Sequence, residues 1–394
     1  MTATLSFHPP RTRLAAAAAA LVLALPVAAQ QLRHERMTDL NDTLPFGESE
    51  VTALGALPDG HLLVACGGAQ AHLLSVHPTN GTVRLLRSWK EAPFAHSLVV
   101  RGDRFWLAVG GDPGAIVPDD AGAPGERLVA GRYANGRVTL AEHVAPTSGV
   151  GIATLAADAA GSRLFLVGRP TPVLYSFDPA TAVYRELAVL GKRQNFEDAT
   201  IWKGIPERVA EVPQALAALG TNDVCGFYKG TAFRWTEPPE PATGKRPASG
   251  LRIDRAPRVP AAQGRQGTEG DRAECLLVSR SGAVFGGSFD GYLFRYDPGT
   301  NRVVNLGKPF RQAGLRALAE LPDGTLAGLC GEPRFRNRLF LYDPERGFRE
   351  VAFKTNKMVL PYDIFSALAV LPDGGLCLGT RGRMTALLYG RLAD

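Results

Sequence analysis

One short pattern returns in the same phase along nearly the whole chain, and it constrains the fold more than any other feature. In its clearest copy, Arg316-Ala-Leu-Ala-Glu-Leu-Pro-Asp-Gly-Thr-Leu-Ala-Gly, an apolar strand runs into a tight Pro-Asp-Gly turn and a second apolar strand follows. The six other copies begin at Thr52, His96, Ala153, Gln214, Glu274 and Ser366. In most copies a third strand comes next and ends in an aromatic-Asp-Pro turn: Phe177-Asp178-Pro179, Tyr296-Asp297-Pro298 and Tyr342-Asp343-Pro344, with Val76-His77-Pro78 as a variant. A fourth strand completes the unit, as from Phe348 to Phe353. Four antiparallel strands, repeated seven times at spacings of about 40 to 60 residues, predict an all-β, seven-bladed β-propeller. An irregular β-sandwich, the competing architecture, does not explain a repeat in common phase.

The two ends of the chain bear on the same reading. The last copy has strands near Ser366, Leu376 and Leu387 and then stops at Asp394 without a fourth. The segment from Leu32 to Leu40 is expected to supply that strand and close the ring, hiding an edge that would otherwise template aggregation. Turn formers are abundant, with 44 Gly and 29 Pro, and the stretch from Pro206 to Leu219 is the one candidate for a short amphipathic helix. The aromatic-Asp-Pro and Pro-Asp-Gly turns resemble those of the broad seven-bladed propeller group that includes YVTN, NHL and quinoprotein-like repeats. That resemblance covers nearly the whole mature chain and implies a fold, but no functional residue.

Residues 1–29 read as a secretory signal peptide: Arg11 and Arg13 precede an apolar run from Leu14 to Val27, and Val27-Ala28-Ala29 supplies small residues for cleavage. Residues 30–394 then form a single domain, with an insertion at about 191–213 and a Pro/Gly-rich, flexible loop at about 238–250. No Cys near the cleavage point offers a lipid acceptor, and no second apolar stretch is long enough for a membrane helix. The expected location is therefore periplasmic or extracellular, without membrane insertion after cleavage. Losing two arginines lowers the formal charge from +6 to +4, and both signs are dispersed, which argues against a nucleic-acid partner.

The cysteines argue for buried thiols. Cys66 and Cys330 occupy equivalent second-strand positions, as do Cys225 and Cys377, and neither pair falls in adjacent blades. Such positions lie well beyond the roughly 7 Å Cα limit for a disulfide. No close CxxC pair supports zinc, and the aligned ring offers only Glu274 and Gln214 as oxygen ligands, so no metal and no cofactor are expected. Four tryptophans at unrelated repeat phases do not form a quinoprotein docking signature.

Blade topology sorts the loops onto two faces. One carries the Pro-Asp-Gly and Asp-Pro turns, which the fold needs whatever the protein does. The other carries longer, varied loops, with His72, Arg169, Tyr228, Lys229, Asp290, Arg334, Arg336, Arg338, Arg381 and Arg383 placed around the channel mouth. At the same mouth the first aligned residues read Thr52, His96, Ala153, Gln214, Glu274, Arg316 and Ser366. Glu274 and Arg316 are expected to pair, and His96 beside arginines and tyrosines is a candidate acid or base.

Two functions suit this inventory. The first is a binding propeller that holds an anionic glycan or a protein partner through His72, Arg169, Gln214, Lys229, Glu274, Arg336, Tyr362 and Arg381. The second is a lyase that cleaves a uronate-containing polysaccharide by β-elimination, with His96, Tyr228 and Arg316 as catalytic residues: a cation neutralises the carboxylate while a His or Tyr moves the proton. In outline this is similar to propeller-type polysaccharide lyases such as ulvan lyases, which use His, Tyr and Arg on a propeller face. No specific motif of theirs matches, so their catalytic residues are not carried over.

Overall fold

Short apolar runs separated by turn signals recur along the chain, and in the computed structural model every regular element among the described residues is a β-strand. The structure describes residues 30–44, 50–111, 126–134, 136–146, 151–192, 215–239, 250–261, 272–311, 313–331, 337–353, 364–382 and 385–393. The signal peptide, nearly all of the 191–213 insertion and most of the 238–250 loop lie outside them.

After β1 (Gln30–Asp39), the strands form antiparallel meanders of four. The first is β2 (Glu50–Ala56), β3 (Leu62–Gly67), β4 (Ala71–His77) and β5 (Thr82–Trp89). Next are β6 (Phe94–Arg101), β7 (Arg104–Gly110), β8 (Arg127–Ala134) and β9 (Arg137–Val144), then β10 (Gly151–Ala157), β11 (Leu164–Arg169), β12 (Val173–Asp178) and β13 (Val183–Val189). β14 (Leu216–Gly220), β15 (Asp223–Tyr228), β16 (Thr231–Thr236) and β17 (Leu251–Arg258) follow, then β18 (Ala273–Val278), β19 (Val284–Ser288), β20 (Leu293–Asp297) and β21 (Arg302–Gly307). β22 (Leu315–Glu320), β23 (Leu326–Cys330), β24 (Arg338–Asp343) and β25 (Gly347–Ala352) precede β26 (Ile364–Val370), β27 (Leu376–Arg381) and β28 (Ala386–Leu392). The fourth strand beside β28 is β1, antiparallel from Leu32↔Leu392 to Asp39↔Ala386. The helix expected near Pro206 to Leu219 is corrected where it can be seen: Leu216 onward is strand β14, because these apolar residues pack in the sheet ladder.

Burial grades across each sheet. Second strands such as β3 and β11 are buried at every residue, whereas fourth strands such as β5 and β13 alternate with solvent. β1 carries the alternating pattern of a fourth strand. The apolar core is divided into layers between neighbouring sheets. One layer joins Leu63 and Trp89 to Phe105 and Tyr133, another joins Phe165 to Phe233 and Trp235, and another joins Leu62 and Val64 to Leu371 and Tyr389. Burying each large side chain contributes about 1.5–3 kcal/mol, so no sheet is stable without its neighbours. First strands touch in the order β2, β6, β10, β14, β18, β22, β26, and β26 touches β2.

Arginines tie every one of these boundaries. Arg36 donates to Thr79 O, Arg84 to Gly136 O, Arg101 to Ala157 O and Asp158 O, and Arg163 to Thr221 O. Arg234 donates to Pro298 O, Arg280 to Leu321 O and Arg349 to the Gln30 side chain. Much of the positive charge is thus used to hold sheets together.

The tight turns are built as the sequence requires. Asp59, Asp323 and Asp373 each accept a hydrogen bond from the backbone N–H two residues on, at 3.1, 2.9 and 3.0 Å. Gly60, Gly324 and Gly374 follow with φ of 85°, 90° and 81°, a region open to Gly at no steric cost. In the Asp-Pro turns, backbone N–H donors hold the Asp178 and Asp343 carboxyls below the ordinary carboxylate range.

Candidate functional site

In six of the sheets a β-bulge near the start of the first strand places a side chain at the end where strands two and three are joined. The ladder register skips at Thr52, Ala153, Glu274, Arg316 and Ser366, five of the residues aligned from sequence. Several bridge to the next sheet: Thr52 Oγ1 donates to Ala95 O and Ser366 Oγ to Val51 O.

His96 does not share that position. In β6 the register shifts between His96 and Val99, and Ser97, at φ 51°, is the structural peer of Thr52. The β6–β7 turn spans only Gly102 and Asp103, three residues shorter than Leu57–His61, so an alignment without gaps slips by one in the first strand. His96 instead matches Val51, Ile152, Ala273, Leu315 and Phe365, all buried in core layers.

The environment of His96 follows from that placement. It is 4% exposed, its Nδ1 lies 3.1 Å from Ser97 Oγ, and its Nε2 has no hydrogen-bond partner among the described residues. Burial, aided by the Arg169 charge, pushes it down to about 3, so the ring is neutral near pH 7. Arg169 is not a rim cation either. It is 1% exposed and donates to Glu126 Oε1 at 2.6 Å. Glu126 also accepts from Gly111 N at 2.9 Å and Ile152 N at 3.3 Å. Burial raises the Glu126 carboxyl, while the Arg169 charge and these donors oppose the rise. Glycines make room for the pair: a Cβ on Gly110 would lie 2.1 Å from Glu126 Oε2, and one on Gly151 would lie 2.7 Å from Arg169 Nε. The sequence reading missed Glu126, which lies 43 residues from its partner in another sheet.

The Glu274 and Arg316 side chains do meet, at 3.8 Å, but Arg272 is closer: its Nε donates to Glu274 Oε1 at 2.6 Å. This cluster is open to solvent, with side chains 12%, 20% and 25% exposed for Glu274, Arg316 and Arg272. His72 is fully buried, with Nδ1 2.8 Å from Ser88 Oγ, so it sits inside its sheet and away from the rim; Asp290 is buried too. Arg381 is exposed and lies 3.1 Å from Glu50. Gln214, Arg334, Arg336, Tyr362 and Arg383 lie outside the described residues.

The same end of the sheets carries a set of cation–aromatic stacks, three of which join residues too far apart in sequence for spacing to reveal. Lys229 lies over Tyr228 at 5.7 Å, Arg272 over Phe289 at 4.2 Å, Lys308 over Tyr292 at 5.6 Å and Arg338 over Phe310 at 5.1 Å. All are within cation–π range. Four half-buried rings under cations, on three consecutive sheets, suit a ligand with both anionic groups and apolar faces. Among the described residues no three His, Cys, Asp or Glu converge to hold a metal ion. None of the five cysteines is in a disulfide, Cys275 being half-buried and the rest buried; burial pushes the Cys330 thiol up to about 12.

The backbone is similar to several solved structures. A streptogramin B lyase superposes with a TM-score of 0.62 at 11% identity, over 91% of this chain and 98% of that one. A catalytically inactive histidine-to-alanine variant of virginiamycin B lyase from Staphylococcus aureus, solved with quinupristin, gives 0.60 at 10% identity, over 90% and 99%. The extracellular domain of a B. thetaiotaomicron protein described as a one-component system gives 0.57 at 16% identity, over 91% of this chain and 40% of that one. These are propeller-type folds, and at such identity the likeness concerns the fold alone. No protein-family model matches the chain, and no curated protein sequence matches it.

Proposed function

We propose that the sheets are the blades of a seven-bladed propeller closed by β1, and that this exported protein binds an anionic glycan at the end carrying the cation-covered aromatic rings. Three features support the ring: the circular order of first-strand contacts, the apolar layer between last and first sheets, and the fourth-strand burial pattern of β1. Export is supported by the leader-like residues 1–29 and fits the extracellular domain among the fold neighbours.

The observation that carries the binding reading is the row of four cation–aromatic stacks. Arg316 adds a fifth cation at this end; among the described residues Glu274 pairs with Arg272 and Arg316, and Glu350 with Arg338. A guanidinium over a ring can still donate in its own plane to a carboxylate, and the ring edge offers apolar surface to a sugar. An acidic loop of a protein partner would use the same surface.

Isothermal titration of the mature protein with polygalacturonate tests this. Binding that weakens as salt rises, with no binding of a neutral glucan, is the expected outcome. No heat at low salt would end the glycan reading. The same mixtures followed by absorbance of an unsaturated uronate separate binding from β-elimination. For elimination Lys229 is exposed and Tyr228 half-buried, whereas His96 is sealed from any solvent-borne substrate.

A further inference from the structure

The opposite end of the channel, where the Pro-Asp-Gly turns gather, holds a cavity of about 440 Å³, within the range of small-molecule sites. It is an open depression, and Leu57, Val100 and Val370 give part of its lining apolar side chains. Pro58, Pro322 and Pro372, one from each of three turns, also line it, and all three are exposed. The polar part of the lining is a single ion pair, Arg280 and Glu320, with Nε 3.5 Å from Oε2.

That pair is only half used. Glu320 Oε2 accepts from Arg280 N at 2.7 Å, and Arg280 Nη2 donates to Leu321 O. Arg280 Nη1 and Glu320 Oε1 make no hydrogen bond to any described residue. A guanidinium 59% exposed at the side chain and a carboxylate 12% exposed therefore stand together at the edge of the depression, each with an atom not bonded to a described residue. The turn aspartates Asp59, Asp323 and Asp373 are bonded back onto their own turns and are absent from the lining.

We propose that this cavity binds a free amino acid with a large apolar side chain. Its carboxylate would meet Arg280, its ammonium would meet Glu320, and its side chain would lie against the Val100/Val370 wall. An α-amino acid carries its carboxylate and its ammonium on one carbon, which suits an adjacent cation and anion, and a purely anionic or purely cationic ligand would answer only one member of the pair. The site is separate from the glycan surface and does not depend on that reading.

L-Phenylalanine is a direct probe, read by methyl NMR on wild-type protein labelled at Leu and Val. Saturable shifts are expected at the Val100, Val370 and Leu57 methyls, with a dissociation constant on the order of 1 mM for a ligand of this size. 3-Phenylpropionate and phenethylamine, each lacking one charge, should bind about fivefold more weakly, as should phenylalanine to Arg280→Met or Glu320→Gln. Val370→Phe, which fills the hollow without touching the ion pair, should abolish the shifts, while Arg338→Ala should leave them unchanged. Absence of saturable shifts at these methyls, equal binding of the single-charge analogues, or binding retained by Val370→Phe would each overturn the assignment.

Discussion

Two carboxylate–guanidinium clusters occupy comparable stations in different parts of the molecule, and they differ in depth. Glu126 and Arg169, at the boundary of the β6–β9 and β10–β13 sheets, are 3% and 1% exposed at the side chain. Glu274 with Arg272 and Arg316, at the boundary of the β18–β21 and β22–β25 sheets, is 12% to 25% exposed. The same residue types therefore do different work. The sealed pair has given up its hydration and must keep its partner, whereas the open cluster can exchange a hydrogen bond for one to a ligand. Gly110 and Gly151 leave the room in which the sealed pair is packed.

Mutations can test that contrast, beginning with the sealed side. Arg169→Met leaves the Glu126 carboxylate buried without its cation and should cost about 3–5 kcal/mol, seen as a lower urea midpoint. A loss below about 1 kcal/mol would mean that water reaches the pair. His96→Leu comes next, since Leu315 already fills the same station in another sheet. The folded-state value of His96, about 3, lies below its ordinary 6.5, so between these limits the unfolded chain takes up a proton that the folded chain refuses. Stability contributed by the neutral ring is complete above pH 6.5 and falls as the pH drops, by about 2 kcal/mol at pH 5. His96→Leu should flatten this acid limb and leave stability at pH 7 equal or higher; an unaltered limb would assign the acid sensitivity elsewhere.

The open side predicts smaller effects on folding and a larger one on binding. Arg272→Ala should change stability by less than about 1 kcal/mol while lowering polygalacturonate affinity about fivefold. A large stability loss with unchanged affinity would make the two clusters alike after all. Smallest of all, Arg36→Ala removes an exposed tie between sheets and should shift the urea midpoint by no more than about 0.5 kcal/mol equivalent.

The sequence made the repeats legible because each one writes its own turn: Pro-Asp-Gly needs Gly at positive φ, and Asp caps the N–H beyond it. It made the pairing of Leu32–Leu40 legible because the last repeat lacked one strand. It misplaced His96 because a turn three residues shorter breaks an ungapped register, and a one-residue slip turns a side chain from the channel to the core. It missed Glu126 and the aromatic partners of Arg272, Lys308 and Arg338 because those contacts join strands whose separation no local period encodes. Depth was invisible for the same reason: Arg169 and Arg381 end equivalent second strands, yet one is sealed and the other exposed.

The pairing of β1 with β28 has a consequence for how the molecule comes to exist. Leu32 cannot find Leu392 until the whole intervening chain has been made, which at 5–20 residues per second takes tens of seconds. Throughout synthesis the first strand lacks this partner, and the pairing it awaits joins residues far apart in sequence, the kind of contact that slows folding. Joining the present termini and opening a tight turn elsewhere should hasten that pairing without altering the folded form.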